Sequence, residues 1–147
     1  MNEIIQPAAA AKETAAKIIL LVDDNPLVVM AYRGALERRG FRVETAADGL
    51  DAMKKVLPLK PDLVVLDLLM PKVDGTYVLK FIHSHAELKS VRVIVLSDAS
   101  IADAAQPALA QNPDAVFLKS QCTASRLVDK INELLGIVNP PAPTPPH

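Results

Sequence analysis

Three short runs of unbroken aliphatic residues, Ile18 to Val22, Leu63 to Leu66 and Val93 to Leu96, recur along the chain. Each is rich in branched residues and short, the pattern of a parallel strand covered on both faces. A fourth segment alternates instead: Phe41, Val43 and Thr45 are separated by Arg42 and Glu44, which predicts a half-exposed strand at a sheet edge. Ala115 to Leu118 is a short fifth strand. Between the strands the period becomes helical. Asn25 is placed to cap a helix that starts at Pro26, with Leu27, Val28, Ala31, Ala35 and Leu36 on its inner face and Gly40 past its end. Asp48 to Leu57 predicts a second helix, stopped by Pro58, and Gly75 to His85 a third, with Val78, Leu79 and Ile82 inward. Thr123 to Leu135 predicts a fifth, with Leu127, Val128, Ile131, Leu134 and Leu135 inward before Gly136. Residues 100 to 111 are left as the fourth, where Pro107 removes one backbone donor and shortens or kinks the helix.

Five strands alternating with five helices, joined by short connections, predict a doubly wound α/β domain: a five-stranded parallel sheet with helices on both faces. The domain occupies residues 17 to 136. Residues 1 to 16 form an Ala-rich flexible segment, and residues 137 to 147 a tail whose last nine residues, NPPAPTPPH, hold five of the chain's twelve prolines. In such sheets ligands bind beyond the carboxyl ends of the strands, so polar residues there matter most.

Composition narrows the function classes. In 147 residues, sixteen Lys plus Arg against seventeen Asp plus Glu leave a formal charge of −1, with no electrostatic footprint for nucleic acid or an anionic membrane. Aromatics are 3% with no Trp, too few to build stacking platforms for bases. A single cysteine, Cys122, cannot form an internal disulfide. No apolar run approaches the ~18 residues that span a bilayer, and the start, MNEIIQPAAAAKETAAK, lacks the basic-then-apolar order of a secretory signal. A soluble cytoplasmic protein is expected.

The candidate chemistry lies at the strand ends. Asp23-Asp24 follow the first strand and Asp67 the third. Three carboxylates brought to one edge repel and lose hydration, a cost of several kcal/mol unless charge offsets it. A hard divalent cation with oxygen ligands does so, and two or three acids plus waters suit Mg²⁺. Lys119 adds an ammonium after the fifth strand and Ser97 a hydroxyl at the fourth. A nucleophilic acid, a metal and donors aimed at equatorial oxygens are what phosphoryl transfer to a carboxylate requires. Each member alone has an ordinary explanation as a turn, a cap or a surface charge, but four coincident strand ends favour a site. His83 and His85, two residues apart on a helix, point to different sides and are not taken as a metal pair. Val29, Met30 and Met53 are read as ordinary packing.

The segments IILLVDDNP, TAADGLDAM, PDLVVLDLLMPKVDG, VRVIVLSDAS and AVFLKS resemble the receiver domain of two-component response regulators, the CheY-like family, over roughly residues 17 to 136. The resemblance implies the flavodoxin-like strand order 2-1-3-4-5, for which that family is a standard example. It also implies Asp67 as phosphoacceptor, Asp24 as a direct Mg²⁺ ligand, Asp23 as a ligand mainly through water, and the Leu69 backbone carbonyl as a further ligand. Lys119 would pair with Asp67 at rest and with the phosphoryl group afterwards, and Ser97 would move inward to bond it. Met70-Pro71 and Asp74-Gly75 would shape the loop after the acceptor, Gly75 permitting a turn that other residues resist. The implied partners are a sensor histidine kinase or histidine phosphotransfer protein, and a downstream protein met by residues 100 to 111, the fifth strand and the fifth helix. Chemistry would be confined to self-phosphorylation and slow autodephosphorylation, since Leu69 and Ala99 cannot orient a water.

Several positions depart from the family pattern. Ser120 follows Lys119 where proline is usual, which puts the customary cis bond in doubt. Asp98 follows Ser97 where a small residue is usual. Val116 stands at the place of the switch aromatic, with Phe117 on the other sheet face. These departures prompt a second reading, a receiver fold working as a phosphorylation-independent scaffold or phosphate sink. A haloacid-dehalogenase-type phosphatase needs a second acid two residues after the nucleophile, where this chain has Leu69. A flavin module lacks its phosphate-binding loops and aromatics here. No DNA-binding or catalytic domain fits after residue 136, so output is expected through protein contact unless the chain is a piece of a longer regulator or hybrid kinase.

Overall fold

In the computed structural model the described residues are 16–68, 73–97 and 111–137. Five strands, β1 (Ile18–Val22), β2 (Arg42–Ala46), β3 (Leu63–Asp67), β4 (Arg92–Ser97) and β5 (Ala115–Leu118), form one parallel sheet in the order β2-β1-β3-β4-β5. Among the described residues four α-helices accompany it: α1 (Pro26–Arg38), α2 (Gly49–Leu59), α3 (Gly75–Ser84) and α4 (Ala124–Leu135). The helix expected over residues 100 to 111, with Pro107, lies outside the described residues except for residue 111, and the end segments lie outside them except for residues 16 and 137.

Alternate residues of the central strands feed two cores. Leu20, Val22, Val64, Leu66, Val93 and Val95 pack under α2 and α3, while Ile19, Leu21, Leu63, Val65, Ile94 and Leu96 pack under α1 and α4. Each fully buried aliphatic side chain contributes about 1.5–3 kcal/mol of transfer free energy, so the continuous apolar runs hold the sheet between its two helical layers. β2 pairs only with β1, and Arg42 on it is exposed, as an edge strand requires.

Two helices differ from the sequence expectation. The buried stripe of α1 is Tyr32 and Leu36, with Val28 and Val29 partly covered, whereas Leu27 and Met30 are 73% and 69% exposed. Tyr32 can turn inward because its hydroxyl donates to the Cys122 carbonyl at 2.7 Å, which satisfies the one polar atom of an otherwise apolar ring. The second helix does not stop at Pro58 but runs to Leu59. Pro58 is exposed in the last turn, so the donor it lacks falls on the water side, and Lys60 closes the helix at φ 48 with its N–H donating to the Val56 carbonyl at 2.9 Å. Asn25 caps α1 and Gly136 at φ 68 ends α4, as expected, and Asp74 and Thr123 likewise accept from the first turns of α3 and α4.

At the amino end of the sheet a five-residue pattern occurs twice, Lys60-Pro61-Asp62-Leu63-Val64 and Asn112-Pro113-Asp114-Ala115-Val116. In each the residue before proline is left-handed, φ 48 and 55, and the aspartate clamps one residue of the neighbouring strand. Ile18 N–H donates to Asp62 Oδ2 at 2.8 Å while Asp62 N–H donates to the Ile18 carbonyl at 2.8 Å. Val93 N–H donates to Asp114 Oδ2 at 2.8 Å, and Asp114 N–H to the Val93 carbonyl at 2.9 Å. The clamps extend the β1·β3 and β4·β5 registers by one residue and occupy strand-end donors.

Candidate functional site

The opposite end of the sheet gathers the acids. Asp67 is the last residue of β3, and Asp23 follows β1, held by its N–H donating to the Ala46 carbonyl at 3.1 Å. Asp24 is next and exposed. One carboxylate oxygen from each of Asp23, Asp24 and Asp67 falls within 4.8 Å of the others. Asp23 and Asp67 are nearly inaccessible, their side chains 0% and 3% exposed.

Lys119 reaches this cluster from the end of β5, where a short 3-10 turn, Lys119–Gln121, begins. Its Nζ lies 2.9 Å from Asp23 Oδ2 and donates to Asp67 Oδ2 at 3.2 Å. Sequence reasoning paired it with Asp67; the structure has it bridge both acids, the nearer being Asp23. Burial pulls its pKa down, but the hydrogen bonding and charge of Asp23 and Asp67 outweigh that and hold it above the usual lysine value. It is therefore a fixed cation at neutral pH. Ser97 is fully buried at the end of β4. The register pairs Asp67 with Leu96 and Ser97 with Leu118, which sets Ser97 on the strand between Asp67 and Lys119.

Three carboxylates around one ammonium leave the cluster with a net formal charge of −2. Asp23 Oδ1 accepts from Asn25 N–H at 2.9 Å. Its Oδ2 is buried, and its counter-charge is the Lys119 ammonium at 2.9 Å, which it shares with Asp67. Buried carboxylates that outnumber their counter-charge are costly. A set of three carboxylates with oxygens within 4.8 Å of one another, anionic in excess, fits a small hard divalent cation. Leu69, Met70, Pro71 and Asp98 lie outside the described residues.

Other sequence expectations fall as follows. Val116 packs into the core under α2 and α3 and Phe117 into the other, so the two do point to opposite faces. No cis peptide occurs among the described residues, Lys119–Ser120 included. Gly75 is needed for close approach rather than for a special turn: it does not have positive φ, and a Cβ there would stand 2.7 Å from the Asp67 carbonyl oxygen. His85 stacks on Phe81 at 4.2 Å and its Nδ1 faces the Phe81 carbonyl at 2.7 Å, while His83 is exposed. Sequence reasoning overlooked Tyr32. Its hydroxyl, kept protonated by burial and by Cys122, braces α1 against the end of the turn that begins with Lys119. The signal was its spacing, four residues after Val28 and four before Leu36.

With the geometry in view, comparison with known proteins decides the family. The model of the response regulator receiver domain matches residues 19–132. The chain belongs to this family. It is 40% identical over 82 residues to the alkaline phosphatase synthesis transcriptional regulatory protein PhoP of Bacillus subtilis, an alignment covering 56% of this chain and 34% of that protein. The chain thus spans about a third of the length of the first curated relatives it matches. Among solved structures, a CheY-like receiver domain protein of Methanospirillum hungatei superposes with a TM-score of 0.76 at 26% identity, over 82% of this chain and 94% of that one. Response regulator TrrA of Thermotoga maritima, solved in complex with Mg²⁺ and BeF, gives a TM-score of 0.70 at 30% identity over 80% of this chain and 98% of that one. The receiver is a two-component signalling module, and its sheet order is the flavodoxin-like order expected. No described helix is long and apolar enough to cross a membrane.

Proposed function

We propose that this receiver takes a phosphoryl group onto Asp67 from a phosphohistidine of a sensor kinase or phosphotransfer protein. The observation that carries the reading is Lys119 bridging two buried carboxylates within an acidic cluster that is still short of positive charge. An Asp67 carboxylate oxygen attacks phosphorus as the phosphorus–nitrogen bond breaks and its electron pair returns to the imidazole. The product is an acyl phosphate. Mg²⁺ would be held by Asp23, Asp24 and Asp67, with the Leu69 carbonyl as the family resemblance suggests, and would supply charge neutralisation and a contact for a phosphoryl oxygen. Lys119 moves from carboxylate to phosphoryl oxygen as charge transfers, and Ser97 donates its hydroxyl to a second oxygen. Asp67, at the end of β3, stands at the acceptor position of the family's motif, which favours it as the nucleophile.

The donor protein must bring an imidazole to this edge, and the surface beside it is apolar. Pro26, Val29 and Met30 line a cleft of about 470 Å³ that also includes Asp23 and Asp24. Exposed Leu27 and Met30 give a phosphodonor protein an apolar foothold next to the acids. Downstream output passes to a protein target through residues 100 to 111, β5 and α4, and the domain itself performs no turnover on another molecule. A kinase partner charged from nucleotide places this work in the cytoplasm. Incubation with phosphoramidate and Mg²⁺ tests the reading: intact-mass spectrometry is expected to find one base-labile phosphoryl group, lost when a chelator replaces the metal. A native chain that remains unlabelled, or labels equally in chelator, overturns it in favour of a scaffold.

A further inference from the structure

Gly49 opens α2 with ordinary negative-φ backbone, where alanine would be the better helix former. Its reason for being glycine lies elsewhere. A Cβ at Gly49 would stand 2.2 Å from the Val73 carbonyl oxygen and 2.9 Å from Val73 C and Cβ, distances no side chain tolerates without backbone displacement. Val73 directly precedes Asp74, the cap of α3, whose carboxylate accepts from Thr76 N–H at 2.8 Å. Gly75 then packs on the site itself: its N–H donates to the Leu68 carbonyl at 3.0 Å, and a Cβ there would meet the Asp67 carbonyl at 2.7 Å and Leu68 Cα at 2.8 Å. A chain of backbone contacts thus runs from the start of α2 through Val73 and Gly75 to the peptide of the acceptor residue. None of the three clustered acids lies on α2.

We infer that Gly49 is a positioning residue for the metal and phosphoryl site, its missing Cβ setting how deeply Val73 seats and so where Gly75 holds the Asp67 end of β3. This rests on the proposed Mg²⁺ site. The glycine belongs to the segment TAADGLDAM, which holds none of the three clustered acids but whose Ala46 carbonyl accepts from Asp23 N–H at 3.1 Å, so its effect reaches the metal through backbone contacts and packing. Outer contacts of a metal site commonly change affinity by 10–100-fold, and a contact two residues removed is expected at the low end of that range.

The test is an NMR titration with Mg²⁺ alone, following the amides of Asp24, Asp67 and Gly75, in the native chain, Gly49→Ala and Gly40→Ala. Gly40 has φ +92 and open space around it, so its replacement strains the fold without touching the site. Gly49→Ala is expected to weaken Mg²⁺ binding roughly tenfold and to shift the Asp67 and Gly75 amides before metal is added. Gly40→Ala should lower the melting temperature and leave the affinity unchanged. Should Gly49→Ala not fold, Val73→Gly, which keeps the carbonyl but removes the side chain that seats it against the core, is read by the same criterion. Native-like affinity in a folded variant at this contact overturns the inference, as does equal weakening by Gly40→Ala. Absence of Mg²⁺ binding by the native chain overturns the site reading instead.

Discussion

At the amino end of the sheet, Asp62 and Asp114 each sit one residue before a strand, and each gives a carboxylate oxygen to one N–H of the neighbouring strand. At the carboxyl end, Asp23 and Asp67 sit just after or at the end of a strand, face one another and share a single ammonium. All four are aspartates against the same buried sheet. The difference lies in their partners: backbone donors that are part of the fold hold the first pair, joined at Asp114 by the Arg92 guanidinium at 3.2 Å, whereas the second pair meets one ammonium for two negative charges. A carboxylate satisfied by the backbone contributes to stability; one crowded against its own kind retains a cost that a bound cation or phosphoryl group relieves.

The sharpest way to break the comparison is to neutralise one acid at each end. Asp67→Asn is expected to abolish labelling by phosphoramidate, read by mass spectrometry, while stability in denaturant changes by about 1 kcal/mol or less, because the lost contact with Lys119 is offset by relief of repulsion from Asp23. Persistent labelling of this variant would dismiss Asp67 as acceptor. Lys119→Met should next show how much the shared ammonium contributes. It leaves two buried carboxylates without a counter-charge, a loss of about 3 kcal/mol in chelator, and added Mg²⁺ should restore part of it. No restoration by Mg²⁺ would mean that the cluster does not accept the cation. At the other end, Asp62→Ala and Asp114→Ala each strand one backbone N–H and should cost about 1–3 kcal/mol, with labelling of the folded fraction unchanged. A labelling defect in either would show that the two ends are not independent.

How much of this was legible beforehand follows the same division. The strands and the strand-end acids could be read because burial on both faces leaves unbroken aliphatic runs, and a charge directly after such a run has few structural explanations; the sheet order came only with the family resemblance. The amino-end clamps were not read, since Pro-Asp before a strand looks like any turn until the neighbouring strand's register is known. α1 was misread at Leu27 and Tyr32 for a related reason: hydrophobicity ranks leucine inside and tyrosine outside, but the Cys122 carbonyl, ninety residues away, supplies the hydroxyl's partner. Pro58 was misread because what matters is which side of the helix its missing donor faces, and that depends on packing. Gly49 has no local signature, because the atom that excludes a Cβ belongs to a different element.

The smallest effect distinguishes the two clamps from each other. Both need a left-handed residue before proline, and one has Asn112 where the other has Lys60, at φ 55 and 48. Asparagine tolerates that region through local hydrogen bonding of its short side chain, whereas lysine bears the full Cβ clash with the following carbonyl, roughly 1–2 kcal/mol for an ordinary residue. Lys60 is exposed and has no ion pair among the described residues, so its replacement removes strain without removing a contact. Lys60→Asn is therefore expected to stabilise the domain by about 0.5 kcal/mol, less than the full strain because the side-chain benefit of asparagine is partly present in the unfolded chain as well. Chemical denaturation should show a higher midpoint with unchanged slope. The reciprocal change, Asn112→Lys, should lose a similar amount, and equal stability of all three proteins would mean that the proline and the aspartate clamp hold these corners without regard to the residue that precedes them.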